Sequence, residues 1–253
     1  MKLRINRRVL EQTSFDSATP TGAAVVVHRF DRDGPYELAI MRDDEVVDRR
    51  ELRVRAEQPS ETSERTAAAA PTIGEPPAPA LPVDLAALRP GSPKTAVLQL
   101  QAAGYAAFTS SVGEGHRVII TEARGDDRRQ EFDSRRLEAD DLFGVTLVRP
   151  GTYVATNTIT GAQVQLRVAY PQIGSVPYRP PEPITLEAGA DEFATDTVDL
   201  APAQGVIFQI RGQAHIQIQL LEPDDGPAAD EARQPRTRWV KPRRPEPTDS
   251  PQP

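Results

Sequence analysis

An all-β fold is predicted by three short stretches in which apolar and polar residues alternate. Phe143, Val145 and Leu147 alternate with Gly144, Thr146 and Val148. They lead through the turn Arg149-Pro150-Gly151 into a second β-rich run that opens at Tyr153. Tyr36, Leu38 and Ile40 do the same after Asp33-Gly34-Pro35, and Ile216, Ile218 and Leu220 alternate with Gln217 and Gln219. A period of two with one buried face is the signature of a strand, and the Gly/Pro/Asp clusters between the runs mark reversals.

Taken in order, residues 1–55 read as a small β module. Leu3, Ile5 and Val9 suggest a first strand, Ala23 to Phe30 a second, and Asp43-Asp44 the tip of a hairpin whose return arm is Val46 to Val54. Such a unit is too small to bury much core alone. Residues 56–93 carry Pro59, Pro71, Pro76, Pro77, Pro79, Pro82 and Pro90 around an alanine run. They read as a disordered linker, with Val83 to Leu88 able to form one helical turn. Residues 94–222 form the larger β unit, in which Val97 to Phe108 reads as one strand, Arg117 to Thr121 as another and Glu131-Phe132-Asp133 as an edge strand. From 223 to 253 order is expected to be lost again, in a tail that is acidic at first and then basic.

Composition narrows the chemistry. There are no cysteines among 253 residues, which removes disulfides, thiolate nucleophiles and thiolate metal sites. A net charge of −7 gives no overall attraction to nucleic acid or anionic membrane. The basic start, Met1 to Arg8, never reaches the apolar run of a signal peptide, and no later stretch has the roughly 18 apolar residues of a membrane span. A cytoplasmic location is the resulting expectation.

The stretch from Leu137 to Val168 resembles the C-terminal half of a cupredoxin. In that family an Asp-x-Phe strand, here Asp141-Leu142-Phe143, passes through a Pro-Gly-Thr-Tyr turn to a strand ending at the copper-binding cysteine. Ile184 to Gly189, Phe193, Val198-Asp199-Leu200 and Gly205-Val206-Ile207-Phe208 are similar to the N-terminal half of the same family. The likeness thus covers about residues 130–222. It implies a cupredoxin-like antiparallel sandwich without the copper: Asn157 stands at the cysteine position and Thr160 near a ligand histidine, and a blue copper centre needs the thiolate. Asp141 falls where that family has a turn aspartate, which implies a structural hydrogen bond.

The remaining candidates rest on residue chemistry. His28, His116 and His215 are the three histidines and the candidate metal ligands, though they lie in separate segments without paired spacing. The acid pairs Asp43-Asp44, Asp126-Asp127 and Asp140-Asp141 read as solvated turns, since neighbours on a strand point to opposite faces. Ser110 to His116 gathers serine, glutamate and histidine in a glycine-rich loop that could hold an anion. No phosphate-binding glycine motif is present, and no cofactor is expected. In the tail, Arg236, Arg238, Lys241, Arg243 and Arg244 surround Trp239, the only tryptophan. That set suits cation–π and arginine–carboxylate docking to a protein partner better than nucleic acid. Together these readings lead to a non-catalytic binding or assembly protein. The alternatives are a metal-dependent enzyme or redox protein built on the histidines, and a structural component of a virion or surface layer.

Overall fold

The computed structural model describes residues 11–56, 80–88, 97–111, 115–124, 127–171 and 178–226. Every named element is a strand: β1 (Ser14–Asp16), β2 (Ala24–Arg29), β3 (Gly34–Arg42), β4 (Glu45–Arg55), β5 (Ala80–Asp84), β6 (Leu98–Gln101), β7 (Tyr105–Thr109) and β8 (Arg117–Arg124). They are followed by β9 (Asp127–Asp133), β10 (Leu142–Thr146), β11 (Gly151–Asn157), β12 (Gln163–Val168), β13 (Ile184–Ala188), β14 (Thr197–Leu200), β15 (Gly205–Ile210) and β16 (Ile216–Pro223). The all-β reading therefore holds.

Three sheets result. A central one runs β13-β15-β10-β2-β7-β5, a first flanking sheet runs β6-β4-β3-β8-β9, and a second runs β14-β12-β11-β16-β1. The two flanking orders are the same order. Each strand of the first corresponds to the strand eight places later in the chain, except that β9 corresponds back to β1. The central sheet is symmetrical about the antiparallel pair β2/β10, with β7 and β5 on one side mirrored by β15 and β13 on the other. The parallel pairs match as well, β4/β6 with β12/β14 and β5/β7 with β13/β15. The chain is thus an internal duplication.

Sequence traces of the duplication survive where geometry demands particular residues. Phe15-Asp16-Ser17 and Phe132-Asp133-Ser134 open the two repeats. At equal spacing beyond them stand Arg32-x-Gly34-x-Tyr36 and Arg149-x-Gly151-x-Tyr153. Both tyrosines are buried, and each donates its hydroxyl to a carbonyl four residues back, Tyr36 to Arg32 at 3.0 Å and Tyr153 to Arg149 at 2.8 Å. Leu52-Arg53-Val54 recurs as Leu166-Arg167-Val168. The turns before β7 and β15 both place an alanine at positive φ, Ala103 at 61° and Ala203 at 53°. The repeats also exchange their first strands: β1 pairs with β16 of the second repeat, and β9 with β8 of the first. Ser17 and Ser134, both fully buried, seat the exchanged strands by accepting the N–H of Ile216 and of Val118.

Alternating strand residues turn inward from all three sheets into one continuous core. Ring contacts join the central sheet to the first flanking sheet, Phe30 to Tyr36 at 5.2 Å and Phe108 to Phe132 at 5.8 Å between centroids. The corresponding buried residues are Leu147 and Tyr153 for the first pair, and Phe208 and Phe15 for the second.

Several expectations are corrected. The sheets are mixed, with four parallel pairs, because each repeat crosses between sheets after its fourth, fifth and sixth strands and a crossover can return a strand in the same direction. Residues 1–55 are not a module apart from 94–222, since β1 to β4 pair with strands of the later segment in all three sheets. The segment read as linker contributes β5, with Val83 and Leu85 buried. Pro82 is tolerated because β5 lies at a sheet edge. Val97 to Phe108 is two strands, broken at Ala102-Ala103-Gly104. β9 is an edge strand, as expected, and Asp43 and Asp44 form the hairpin tip with φ of 49° and 63°. The expected first strand at Leu3, Ile5 and Val9 lies outside the described residues.

Candidate binding pocket at the junction of the repeats

Val26 and Phe143 face each other in the β2/β10 pair, and the duplication carries each onto the other, so the local twofold axis passes between them. Moving outward in one direction leads to Ala24 opposite Val145. Moving equally far in the other leads to His28 and Asp141. Positions that the scaffold fills with an alanine and a valine at one end are therefore occupied by an imidazole and a carboxylate at the other.

His28 Nδ1 lies 2.7 Å from Asp141 Oδ1, with the two side chains 11% and 5% exposed. Asp141 Oδ2 accepts the backbone N–H of Glu138 at 2.8 Å, the structural turn bond that the sequence implied. A carboxylate only accepts, so Nδ1 carries the ring proton, and in the neutral ring Nε2 is left as a lone-pair acceptor. That Nε2 is buried without a hydrogen-bond partner among the described residues. The ring is held at a fixed angle by Phe30, edge-on at 4.8 Å, and Phe132 at 4.7 Å.

A pocket of about 230 Å³ opens here between the end of β2, strand β9 and the β9–β10 loop. Glu131 supplies its second buried, unpartnered polar atom, Oε2. The register of β9 explains how this side chain comes to be there. Ile120 pairs with Phe132 but Thr121 with Gln130, so Glu131 is the extra residue of a β-bulge. A bulge bends the strand and re-aims a side chain. The exchanged strand β1 runs past β16 without such an insertion, so Glu131 has no counterpart in the other repeat. Carboxylates outnumber arginines two to one along the lining, which also includes Asp31, Glu138 and Arg129.

The other histidines are elsewhere. His215 bridges Thr158 Oγ1 at 2.9 Å from Nδ1 and Asp16 Oδ1 at 2.7 Å from Nε2. The order hydroxyl, imidazole, carboxylate matches a nucleophile with its base, but Thr158 is exposed and the duplication gives a plainer account. His215 corresponds to Arg117, which holds Asp133 at 2.9 Å as His215 holds Asp16. An arginine cannot serve as the base, so the shared task is to clamp the exchanged strand. His116 is buried next to Arg42, 3.1 Å from its Nη2. The three histidines thus have separate partners, and among the described residues no group of three or more potential ligands gathers to hold a metal ion.

Asn157 closes β11 from a buried position. Its Oδ1 accepts the N–H groups of Ile159 and His215, both at 3.1 Å, and its Nδ2 donates to the Gln213 carbonyl at 3.2 Å. Within Ser110 to His116, residues 112–114 lie outside the described part of the chain. So do Arg236, Arg238, Trp239, Lys241, Arg243 and Arg244. Among the described residues, no helix is long and apolar enough to cross a membrane.

In the sequence Asp141 and His28 stand in separate segments, and nothing there marks that they meet. Glu131 stands there only as part of an expected edge strand. The signal available was the FDS repeat, which puts Asp141 and His28 on equivalent strands. Comparison with family models, curated proteins and solved structures finds no match to this chain.

Proposed function

We propose that this chain is a non-catalytic binding protein whose duplicated β-frame holds a binding pocket at the end of the central β2/β10 pair that carries His28 and Asp141. The observation that carries the reading is the broken symmetry. The frame closes with Ala24 and Val145 at one end, so burying an imidazole and a carboxylate at the other is not needed for folding. Burying polar groups also costs stability unless they are partnered. A binding role accounts for that cost, as it does for the bulge that brings in Glu131.

The cupredoxin-like resemblance of residues 130–222 fits such a frame, as a scaffold in which Asn157 clamps a turn where the family holds copper. The basic tail around Trp239 is the handle for a protein partner, giving the chain its role in assembly. Co-purification with and without residues 232–246 tests that part; identical partners in both removes it.

For the pocket, the full chain is purified natively beside the variant His28→Val/Asp141→Ala, which copies the other end of the sheet pair. Both are unfolded to release bound small molecules for mass spectrometry. A compound carried near stoichiometrically by the parent and absent from the variant supports the reading. Equal carriage by both, or carriage by neither together with no added compound that stabilises the parent alone, overturns it.

A further inference from the structure

We propose that the group seated in this pocket is an ammonium or guanidinium head, an organic cation that donates N–H bonds. The proposal rests on the pocket being a binding site, and it follows from what its unpartnered atoms can do. In the neutral ring His28 Nε2 has a lone pair, because Asp141 holds the single proton on the opposite nitrogen. Glu131 Oε2 is likewise an acceptor. Two buried acceptors on one small cavity call for a donor, and an anion would meet two lone pairs and a surplus of carboxylates. A charged donor makes the stronger bond to a carboxylate.

Two further features favour an organic cation. The described residues gather no third ligand for a metal ion. At about 230 Å³ the cavity lies below the size of pockets for drug-sized molecules, so it suits a charged head and a few carbons. A free amine and the end of a partner's lysine or arginine side chain present the same chemistry.

The test is a titration of the ¹⁵N-labelled full chain, read at the His28 ring nitrogens. The probes are butylammonium, butylguanidinium, butanol and butyrate, with zinc chloride as the metal arm. Saturable movement of Nε2 with either cation is expected, weakened about tenfold or more by Glu131→Gln and lost in His28→Val/Asp141→Ala when read at the surrounding amides. Nα-acetyl-lysine methylamide separates the sources: binding at least as tight as butylammonium identifies a protein side chain, and exclusion identifies a free small cation. Tighter binding of butyrate, butanol or zinc than of either cation overturns the ligand class while leaving the binding site standing. Silence from every probe into the millimolar range overturns the class as well. If the natively purified chain then also carries no compound, the binding reading falls with it.

Discussion

His215 Nε2 stands 2.7 Å from Asp16 Oδ1, in the place that the Arg117 guanidinium takes against Asp133 in the other repeat. Burial acts to raise the Asp16 pKa, but the hydrogen bond from His215, the Ala18 N–H and the charge of His215 outweigh it and hold the group below its ordinary 3.8. A carboxyl depressed on folding contributes stability that is present above its unfolded value and lost as pH falls through the folded one. The clamp on β1 should therefore weaken below pH 3.8. Asp16→Asn should be less stable than the parent near neutrality by less than about 1 kcal/mol, since the pair is partly exposed. The gap should close as pH drops below 3.8. Urea midpoints of both proteins across that range decide it; a constant gap would rule out the linkage.

The buried tyrosines predict the alkaline limit. Burial, then the negative charges of Glu131 and Glu122, push Tyr36 up to about 12, and burial raises Tyr153. Groups raised on folding contribute stability that is complete below their unfolded pKa, ordinarily 10.0, and lost as pH rises through the folded value. Stability should fall between pH 10 and about 12. Tyr36→Phe should shallow that fall and cost about 1 kcal/mol at neutral pH, the worth of the bond to the Arg32 carbonyl. Denaturant midpoints of the two proteins at neutral and alkaline pH provide the check. An unchanged alkaline slope in the variant would show that Tyr36 does not set it.

The strands were legible because alternation is local, and the turns because Asp33-Gly34, Asp43-Asp44 and Pro150-Gly151 mark reversals by residue type. The duplication was not read, for a physical reason. Apart from short matches such as Phe-Asp-Ser and Leu-Arg-Val, each core position needs only an apolar residue of suitable size, so Val26 can answer to Phe143 and Phe30 to Leu147. The prolines and alanines of 57–79 also separate β4 from β5 by a far longer connection than β12 from β13, which made one repeat resemble two units and a linker. Of the pocket, each residue was visible but its company was not. His28 and Asp141 meet through a strand pairing between residues far apart in the chain, and Glu131 enters through a bulge, which leaves no mark on composition.

The pair His28 and Asp141 makes a prediction by subtraction. Asp141→Ala leaves a buried imidazole without its acceptor and removes the bond to the Glu138 N–H. His28→Val leaves a buried carboxylate facing an alkyl chain. Each single change should cost about 1–3 kcal/mol. The double variant reproduces the Ala24 and Val145 solution, and the backbone turn survives, because Asp141 N–H donates to the Glu138 carbonyl at 3.1 Å just as Ala24 N–H donates to that of Thr21 at 3.0 Å. It should cost clearly less than the two singles added together, as seen in a double-mutant cycle by chemical denaturation. Additive losses would mean that the two side chains act independently.

Gly34 and Gly151 begin equivalent strands with φ of 149° and 139°, a conformation that L side chains rarely adopt. Alanine at either should cost about 1–3 kcal/mol from backbone strain alone. Their surroundings differ. A Cβ on Gly34 would meet only the Arg124 guanidinium at 3.4 Å, the far end of a side chain more than half exposed. A Cβ on Gly151 would fall 2.3 Å from the Glu222 carbonyl oxygen and 2.9 Å from Pro223 Cα, so β16 must move away or its pairing with β11 must open. Gly151→Ala should therefore be the more damaging by about 2 kcal/mol or more, the scale of an overpacked site. It should also speed amide exchange along the Thr152–Glu222 end of the ladder, where Gly34→Ala leaves exchange unchanged. Equal losses in the two variants would mean that β16 yields there without resistance.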